Sequence, residues 1–215
     1  MSLIALDASG SHAGLALLGD DGKVEGSWTI PLKPGLIETL PPLLQNAAAG
    51  QIVTDMAVCT GPGSFTGLRT SIALAQGFAA ASGAVLWGIP VWDAYHEALA
   101  DLHRPLWVAI RARRGRLFLI RDGAGAESIA DDEVPLPTGP IAVAGEEARF
   151  VAALLAARGA ADVALTDIAM PNPACIGLAA LRHKQAGDNP AAALPVYVDA
   201  PEAKRPTSGL RPFPA

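Results

Sequence analysis

The segment GPGSFTGLRT, residues 61–70, has the composition of a loop that could bind phosphate. Glycine-rich turns before a helix present free backbone amides to an anion. The spacing excludes two nucleotide motifs, however. No Gly-Lys-Ser/Thr follows Gly67, as a Walker A loop requires, and the Phe-Thr pair at 65–66 breaks the dinucleotide pattern.

The same segment predicts a constrained turn that leads into a helix. Two glycines around a proline favour a tight turn after a strand, and Ser64 or Thr66 can cap a helix that begins near Gly67. We define the signature turn by its residues Gly61, Pro62, Gly63, Ser64, Phe65, Thr66, Gly67 and Arg69.

A second group with possible chemistry is the arginine-rich segment RARRGRLFLIR, residues 111–121. It could form a local patch that binds RNA phosphates. It could equally be a solvated hairpin turn whose arginines pair with nearby acids, and the acidic whole chain favours this second interpretation. The arginines concerned are Arg111, Arg113, Arg114, Arg116 and Arg121.

Histidine and cysteine spacing predicts no metal site. The histidines form no H-x-x-x-H or H-E-x-x-H pair, so a metalloprotease centre is not expected. Both cysteines lie in apolar surroundings outside any C-x-x-C pair, which is typical of reduced thiols in the cytoplasm. These residues are His12, His96, His103, His183, Cys59 and Cys175.

The composition fits a globular protein with one or two domains. The chain has 215 residues, is 51% hydrophobic and 17% charged, and carries a net charge of -5. A general nucleic-acid binder is more often basic. The start MSLIALDASG has no basic region, so no signal peptide is expected. Residues 70–92 are uncharged, but Gly83 and Gly88–Pro90 interrupt them, so no membrane span is expected.

Hydrophobic patterns predict the elements that position these residues. In the first half, three strands with no helix between them are followed by helix, strand, helix, strand and helix. The strands are LIALDA, AGLALL, VEGSWTI, DMAVCT and AVLWGI, and the helices span about 36–48, 67–82 and 91–102. Pro41 and Pro42 should kink or restart the first helix.

The second half predicts a smaller version of the first. It contains the hairpin PLWVAIRA and RLFLIRD, the strand IAVAG, and helices near 146–158 and 173–186. We predict an N-terminal lobe over 1–103, a smaller C-terminal α/β lobe over 104–200 and a flexible, proline-rich tail over 201–215.

This order predicts an α/β protein with mixed sheets and flanking helices, in a two-lobed, actin-like ATPase (ribonuclease H-like) fold. Such ATPases place a carboxylate at the end of the first strand, where this chain has Asp7. Asp7 is therefore a possible residual nucleotide or metal site. A hairpin with a capping aspartate is the favoured interpretation, because the glycine-rich phosphate hairpin of the ATPases is poorly reproduced.

The helix after the signature turn is apolar on two opposite faces. One face can cover its own sheet, and the other then needs a second apolar surface, either from this chain or from a partner. Gly77 in mid-helix costs up to about 1 kcal/mol relative to alanine, and a close helix approach would explain it. The predicted partner interface comprises Leu36, Leu40, Leu43 and Leu44 of the first helix with Thr70, Ala73, Leu74, Gly77, Phe78 and Ala81.

Five blocks, in order, resemble the bacterial TsaB (YeaZ) family. The most specific block is CTGPGSFTGLRTSIALAQGFA, and LIALDASGSHAGLALL is similar to the family's first hairpin. GAVLWGIPVWDAY, AIRARRGRLFLI and LPVYVDAPEAKRP follow in the family's order. The resemblance covers most of the chain and is weakest over residues 123–182.

The resemblance implies a non-catalytic scaffold with no tightly bound cofactor. TsaB-type proteins support a TsaD-type subunit, which holds the metal, in forming N6-threonylcarbamoyladenosine next to the anticodon of tRNAs that read codons beginning with A. A TsaE-type ATPase assists, ATP and Mg are used by the partners, and TsaB-type proteins also form homodimers. The alternatives are a self-sufficient actin-like ATP-dependent phosphotransferase and a binding module with no role in tRNA.

The chain departs from the family pattern at three places. Relatives carry a His-Ser or His-Thr pair near the first helix, where this chain has PLKPGLIETL. Relatives often have acids where this chain has Arg111 and Arg116, and Asp199 stands where they usually have arginine. Any family role of those side chains is therefore not carried over to this chain.

Overall fold

The structure, a computed structural model, describes residues 1–31, 36–113 and 115–199, with only the backbone described at 36 and 37. The predicted tail and Arg114 lie outside the described residues. The strands are β1 (Ser2–Asp7), β2 (His12–Gly19), β3 (Val24–Pro31), β4 (Val53–Gly61), β5 (Val85–Pro90), β6 (Leu106–Arg111), β7 (Arg116–Arg121), β8 (Ala124–Ala130), β9 (Ile141–Ala144) and β10 (Val163–Leu165). The helices are α1 (Leu36–Ala48), α2 (Phe65–Ser82), α3 (Val91–Ala98), α4 (Ala148–Ala157) and α5 (Pro173–Ala186).

Two mixed five-stranded sheets form the framework, which confirms the predicted fold class. The first has the order β3-β2-β1-β4-β5, with an antiparallel β1–β2–β3 meander and β4 and β5 parallel to β1. The second sheet, β10-β9-β6-β7-β8, repeats this arrangement. The central strand β1 is buried at all six residues.

Two pairs of helices cover the first sheet. The crossovers through α1 and α2 both advance in the same direction across the sheet, so right-handed connections place both helices on one face. Helices α3 and α5 contact each other and cover the other face. Although α5 follows the second sheet in the chain, it packs on β1 and β2. The boundary at residues 103–104 stays a prediction.

Several elements differ from their predicted bounds. Helix α1 continues through Pro41 and Pro42. Helix α3 ends at Ala98, and the amide of Leu102 then donates to the carbonyl of Leu99 in a turn. Strands β8 and β10 were not predicted from the sequence.

The last described residues, 191–199, form a segment that we call the C-terminal strap. The amide of Gly88 on the edge strand β5 donates to the carbonyl of Ala191 at 3.0 Å. The amide of Val196 donates to the carbonyl of Thr60 at 2.8 Å, and Gln76 Nε2 donates to the carbonyl of Ala193 at 3.0 Å. The strap therefore ties β4, β5 and α2 together.

In the described part of the chain, no helix has the length and apolar character needed to cross a membrane.

Candidate functional site

The signature turn packs directly against the end of β1. The amide of Ser64 donates to the carbonyl of Ser9 at 2.5 Å. A Cβ atom at Gly63 or Gly67 would overlap the carbonyl oxygens of Ser9 and Ala8 respectively. These two glycines are therefore needed for a close approach between backbones inside the chain.

The conformation of the turn also fixes the start of α2. Gly61 has a φ of +94°, a left-handed backbone that favours glycine. Ser64 is the N-cap: its hydroxyl accepts from the amide of Gly67 at 3.3 Å. Of the two predicted caps, Ser64 is the one used.

Helix α2 has one buried face and one open face. Its buried residues include Leu68, Ile72, Ala75 and Ala79, whereas Ser82, which the sequence pattern placed with them, is exposed. We define the outer face as Thr70, Ala73, Leu74, Gly77, Phe78 and Ala81, all half-buried or exposed. A Cβ at Gly77 would meet nothing within 4 Å. The described part of the chain therefore leaves this apolar face of α2 partly open to solvent.

A groove of about 570 Å³ lies between the outer face and α1. The predicted interface residues of α1 differ in their exposure at this groove. Leu43 is half-buried, but Leu40 and Leu44 are only 0% and 3% exposed and pack in the core. Leu40 is therefore a core residue, whereas Leu44, although almost fully buried, still lines the floor of the groove. The side chain of Leu36 lies outside the described residues.

Asp7 is buried where β1 ends. Its Oδ1 accepts from the amide of Ser9 at 2.8 Å, which stabilises the hairpin turn. Burial raises the pKa of the Asp7 carboxyl, against hydrogen bonds from Ser9 and Cys59 that lower it. Burial also raises the pKa of the Cys59 thiol beside it. Asp7 is thus a buried carboxyl that is hydrogen-bonded within the turn that follows β1.

The β1–β2 turn faces side chains from the second half of the chain. The amide of Ser11 donates to Glu146 Oε1 at 2.9 Å, and the Ser11 hydroxyl lies 3.3 Å from the Met170 sulfur. A Cβ at Gly10 would overlap the Met170 side chain. A carboxylate and a thioether therefore lie directly against this turn. Glu146 was not anticipated from the sequence.

Three arginines of the β6–β7 hairpin are paired. Arg111 forms an ion pair with Glu147, Arg121 pairs with Glu127, and Arg116 donates to the hydroxyl of Ser128 at 3.0 Å. Pairing with nearby groups is the interpretation that the acidic composition favoured.

The histidines and acids of the described residues include no group of three that could hold a metal ion. His183 instead lies between two carboxylates, with Asp93 at 3.0 Å and Asp188 at 2.7 Å. Hydrogen bonds with Asp188 and Asp93 raise the pKa of the His183 imidazole.

Comparison with known proteins places these features in a family. The family model described as "TsaD: tRNA N6-adenosine threonylcarbamoyltransferase" matches residues 36–166. No curated protein matches the chain.

Solved structures share the fold. A protein with similarity to peptidase YEAZ and YeaZ itself, both from Pseudomonas aeruginosa, are 22% and 23% identical, with TM-scores of 0.73 and 0.72. Each match covers 92% of this chain and 99% or 100% of the other. The ethanolamine utilization protein EutJ from Carboxydothermus hydrogenoformans is 12% identical, with a TM-score of 0.50 over 83% of this chain and 89% of that protein. The resemblance inferred from the sequence and the actin-like fold are both confirmed. Since the family match spans more than half of the sequence, the chain belongs to the TsaD family of tRNA N6-adenosine threonylcarbamoyltransferases, with the fold of the YeaZ structures.

Proposed function

We propose that the chain is a TsaB-type, non-catalytic subunit that docks a TsaD-type partner and supports its activity. The partner forms N6-threonylcarbamoyladenosine next to the anticodon of tRNAs that read codons beginning with A, and a TsaE-type ATPase completes the complex. The family match supports a role in tRNA modification. The YeaZ-like fold favours the scaffold over the catalytic subunit.

The outer face of α2 is the observation that carries the docking proposal. It has no charged residue, its backbone is unobstructed at Gly77, and a groove separates it from α1. Small residues at this position allow a partner helix to approach closely, and the half-buried Leu74 and Phe78 supply apolar contact area.

The same face supports a homodimer in the isolated chain. The family match includes both α1 and α2, so a TsaD-type partner carries the corresponding helices. An isologous contact between two copies then uses the same surface as the heterodimer, and the two associations compete.

We further infer that the chain binds no nucleotide or metal tightly and works in the cytoplasm. Glu146 beside the Ser11 amide would repel a phosphate, and Asp7 is already bound to the Ser9 amide. The contact with tRNA is made through the complex, and ATP and Mg serve the partner subunits.

Reconstitution tests the proposal. The purified chain alone should form no threonylcarbamoyladenosine, as measured by mass spectrometry of tRNA nucleosides. Addition of TsaC-, TsaD- and TsaE-type proteins with ATP, threonine and bicarbonate should give the product. Modification by the chain alone, or full activity of the partners without it, would contradict the scaffold role.

An Asp7→Asn variant separates the scaffold from the phosphotransferase. The asparagine amide oxygen can still accept from the Ser9 amide, so the reconstituted activity should stay within a few-fold of wild type. Calorimetry should detect no tight binding of ATP with Mg by the wild-type chain. A loss of about a hundredfold in a folded variant would assign Asp7 a role in the chemistry.

A further inference from the structure

A cavity of about 610 Å³ opens between the two halves of the molecule, away from the outer face of α2. It is bounded by the signature turn, by the end of β6 and by the C-terminal strap. Among the described residues that line it are Arg69, Arg111 and Arg113, with one acid, Asp199. The lining is therefore positive although the whole chain carries a net charge of -5.

Two aromatic rings on the cavity wall are held in place and remain accessible. Phe65 and Tyr197 are 56% and 52% exposed, with ring centroids 5.9 Å apart. The Arg69 guanidinium lies 3.7 Å above the Phe65 ring, and Arg69 Nε donates to the Tyr197 hydroxyl at 2.8 Å. Rings fixed in this way can stack on a planar ligand with little further loss of side-chain freedom.

The charges around the rings favour an anionic ligand. The first turn of α2 has no acidic residue, so nothing on the helix offsets the partial positive charge of its N-terminus. Arg111 pairs with Glu147, yet its side chain is 72% exposed and faces the cavity rim. Aromatic stacking surfaces combined with arginines are the features that bind single-stranded nucleic acid.

We propose that this cavity binds an unpaired nucleotide of an RNA strand. The base stacks on Phe65 or Tyr197, and the adjoining phosphates contact Arg111 and the N-terminus of α2. The choice of RNA as the ligand rests on the proposed role in tRNA modification. The arguments from ring stacking and from charge rest on the cavity residues alone. Duplex RNA is excluded from the stacking site because its bases are already stacked and paired.

Fluorescence anisotropy with the 215-residue chain tests this assignment. The probe is a labelled RNA strand of about ten nucleotides, compared with the same strand in a duplex. The single strand should bind more tightly, and Phe65→Ala or Tyr197→Ala should weaken it about tenfold. Phe150→Ala, which removes a ring on α4 that is 42% exposed, is the matched control and should leave binding unchanged.

The salt dependence tests the phosphate contact. Arg111→Gln should reduce the slope of log affinity against log salt by roughly 0.7. Arg104→Gln, at the opposite end of β6 and paired with Asp162, removes the same charge and should keep the slope.

Three results would overturn the proposal. They are equal binding of single strand and duplex, unchanged binding in both aromatic variants, and displacement of the strand by equimolar AMP, which would make the ligand a free nucleotide. If docking to a TsaD-type protein persists while the strand fails to bind, only this inference falls. If the strand binds while docking fails, the scaffold role falls instead.

Discussion

The two helical layers on the first sheet have opposite surface chemistry. In the α3–α5 layer, Lys184 Nζ reaches the buried Asp55 carboxylate at 2.6 Å, and Arg182 Nε pairs with Glu97 at 2.6 Å. In the α1–α2 layer, α2 carries one charged residue, Arg69, along eighteen positions. Ion pairs join the α3–α5 layer to its surroundings. The outer face of α2 instead has no charged residue, and its residues are half-buried or exposed.

The difference between the layers supports the docking surface proposed above. Charged side chains around a helix satisfy one another and stay solvated, so the α3–α5 layer needs no further cover. An open apolar helix face remains costly in water until it is buried. The asymmetry between the layers therefore predicts different responses to substitution.

The largest expected effect is on association. Ala73→Glu or Gly77→Glu places a charge at the centre of the outer face, where docking would bury it without a partner. Homodimer and TsaD-type heterodimer should both weaken by at least about a hundredfold in sedimentation. The circular dichroism spectrum should match wild type, because a Cβ at Gly77 would meet no described residue within 4 Å.

Ala153→Glu, an exposed alanine of α4, is the control and should associate normally. If Gly77→Glu unfolds a wild-type chain that is monomeric and binds nothing, the outer face is part of the core and the comparison between layers fails.

Two glycines of α2 should respond oppositely to the same small change. Gly67→Ala forces a Cβ into the Ala8 carbonyl, which should cost about 3 kcal/mol in the free energy of unfolding. Gly77→Ala meets open space in mid-helix and should stabilise the chain by up to about 1 kcal/mol. Urea denaturation measures both, and a destabilised Gly77→Ala would show that the outer face is already packed.

In the α3–α5 layer, removal of one ion-pair partner should affect stability alone. In Lys184→Met, the Asp55 carboxylate keeps two hydrogen bonds, from Trp87 Nε1 at 3.0 Å and from the Thr54 hydroxyl at 2.8 Å. The free energy of unfolding should fall by about 2 kcal/mol, because a buried carboxylate loses its cation. Lys23→Met, in an exposed turn, should change little. Loss of partner docking in Lys184→Met would assign this layer a binding role as well.

The smallest expected effect is a pH dependence of the same layer. Hydrogen bonds with Asp188 and Asp93 raise the pKa of His183, with burial and Arg182 acting in the opposite direction. The stabilisation that protonated His183 provides is therefore complete below the pKa of this histidine in the unfolded chain. It is lost as pH rises through the higher pKa of His183 in the folded chain. The Tm should decline slightly from about pH 6 to about pH 8. His183→Gln should lose this slope, and an identical slope in the variant would assign the dependence to other groups.

The sequence predicted the elements that have strong local patterns. The β1–β2–β3 meander and the continuous apolar run of α2 followed from periodicity and turn residues. Strand β8 was missed because AGAESIA contains one β-branched residue, and β10 because it has three residues.

Long-range contacts account for what the sequence did not predict at the candidate sites. Glu146 meets Ser11 across 135 positions, and Arg69 meets Tyr197 across 128, so no local spacing reveals either pair. Helical periodicity grouped the fully buried Leu40 of α1 with the predicted interface, because periodicity alone does not say which face of a helix turns toward the sheet. The outer face of α2 could be predicted from the sequence because two opposite faces of this helix are apolar.

The C-terminal strap has a consequence for self-association. Strand β5 ends the first sheet, and an uncovered edge strand offers its backbone amides to another chain, a route to aggregation. The carbonyl of Ala191 in the strap accepts a hydrogen bond from the amide of Gly88. The strap backbone at Ala192 lies so close to Gly88 that this residue has no room for a Cβ. Growth of the sheet from copy to copy is therefore hindered at this edge, which agrees with the proposal that copies meet through the outer face of α2.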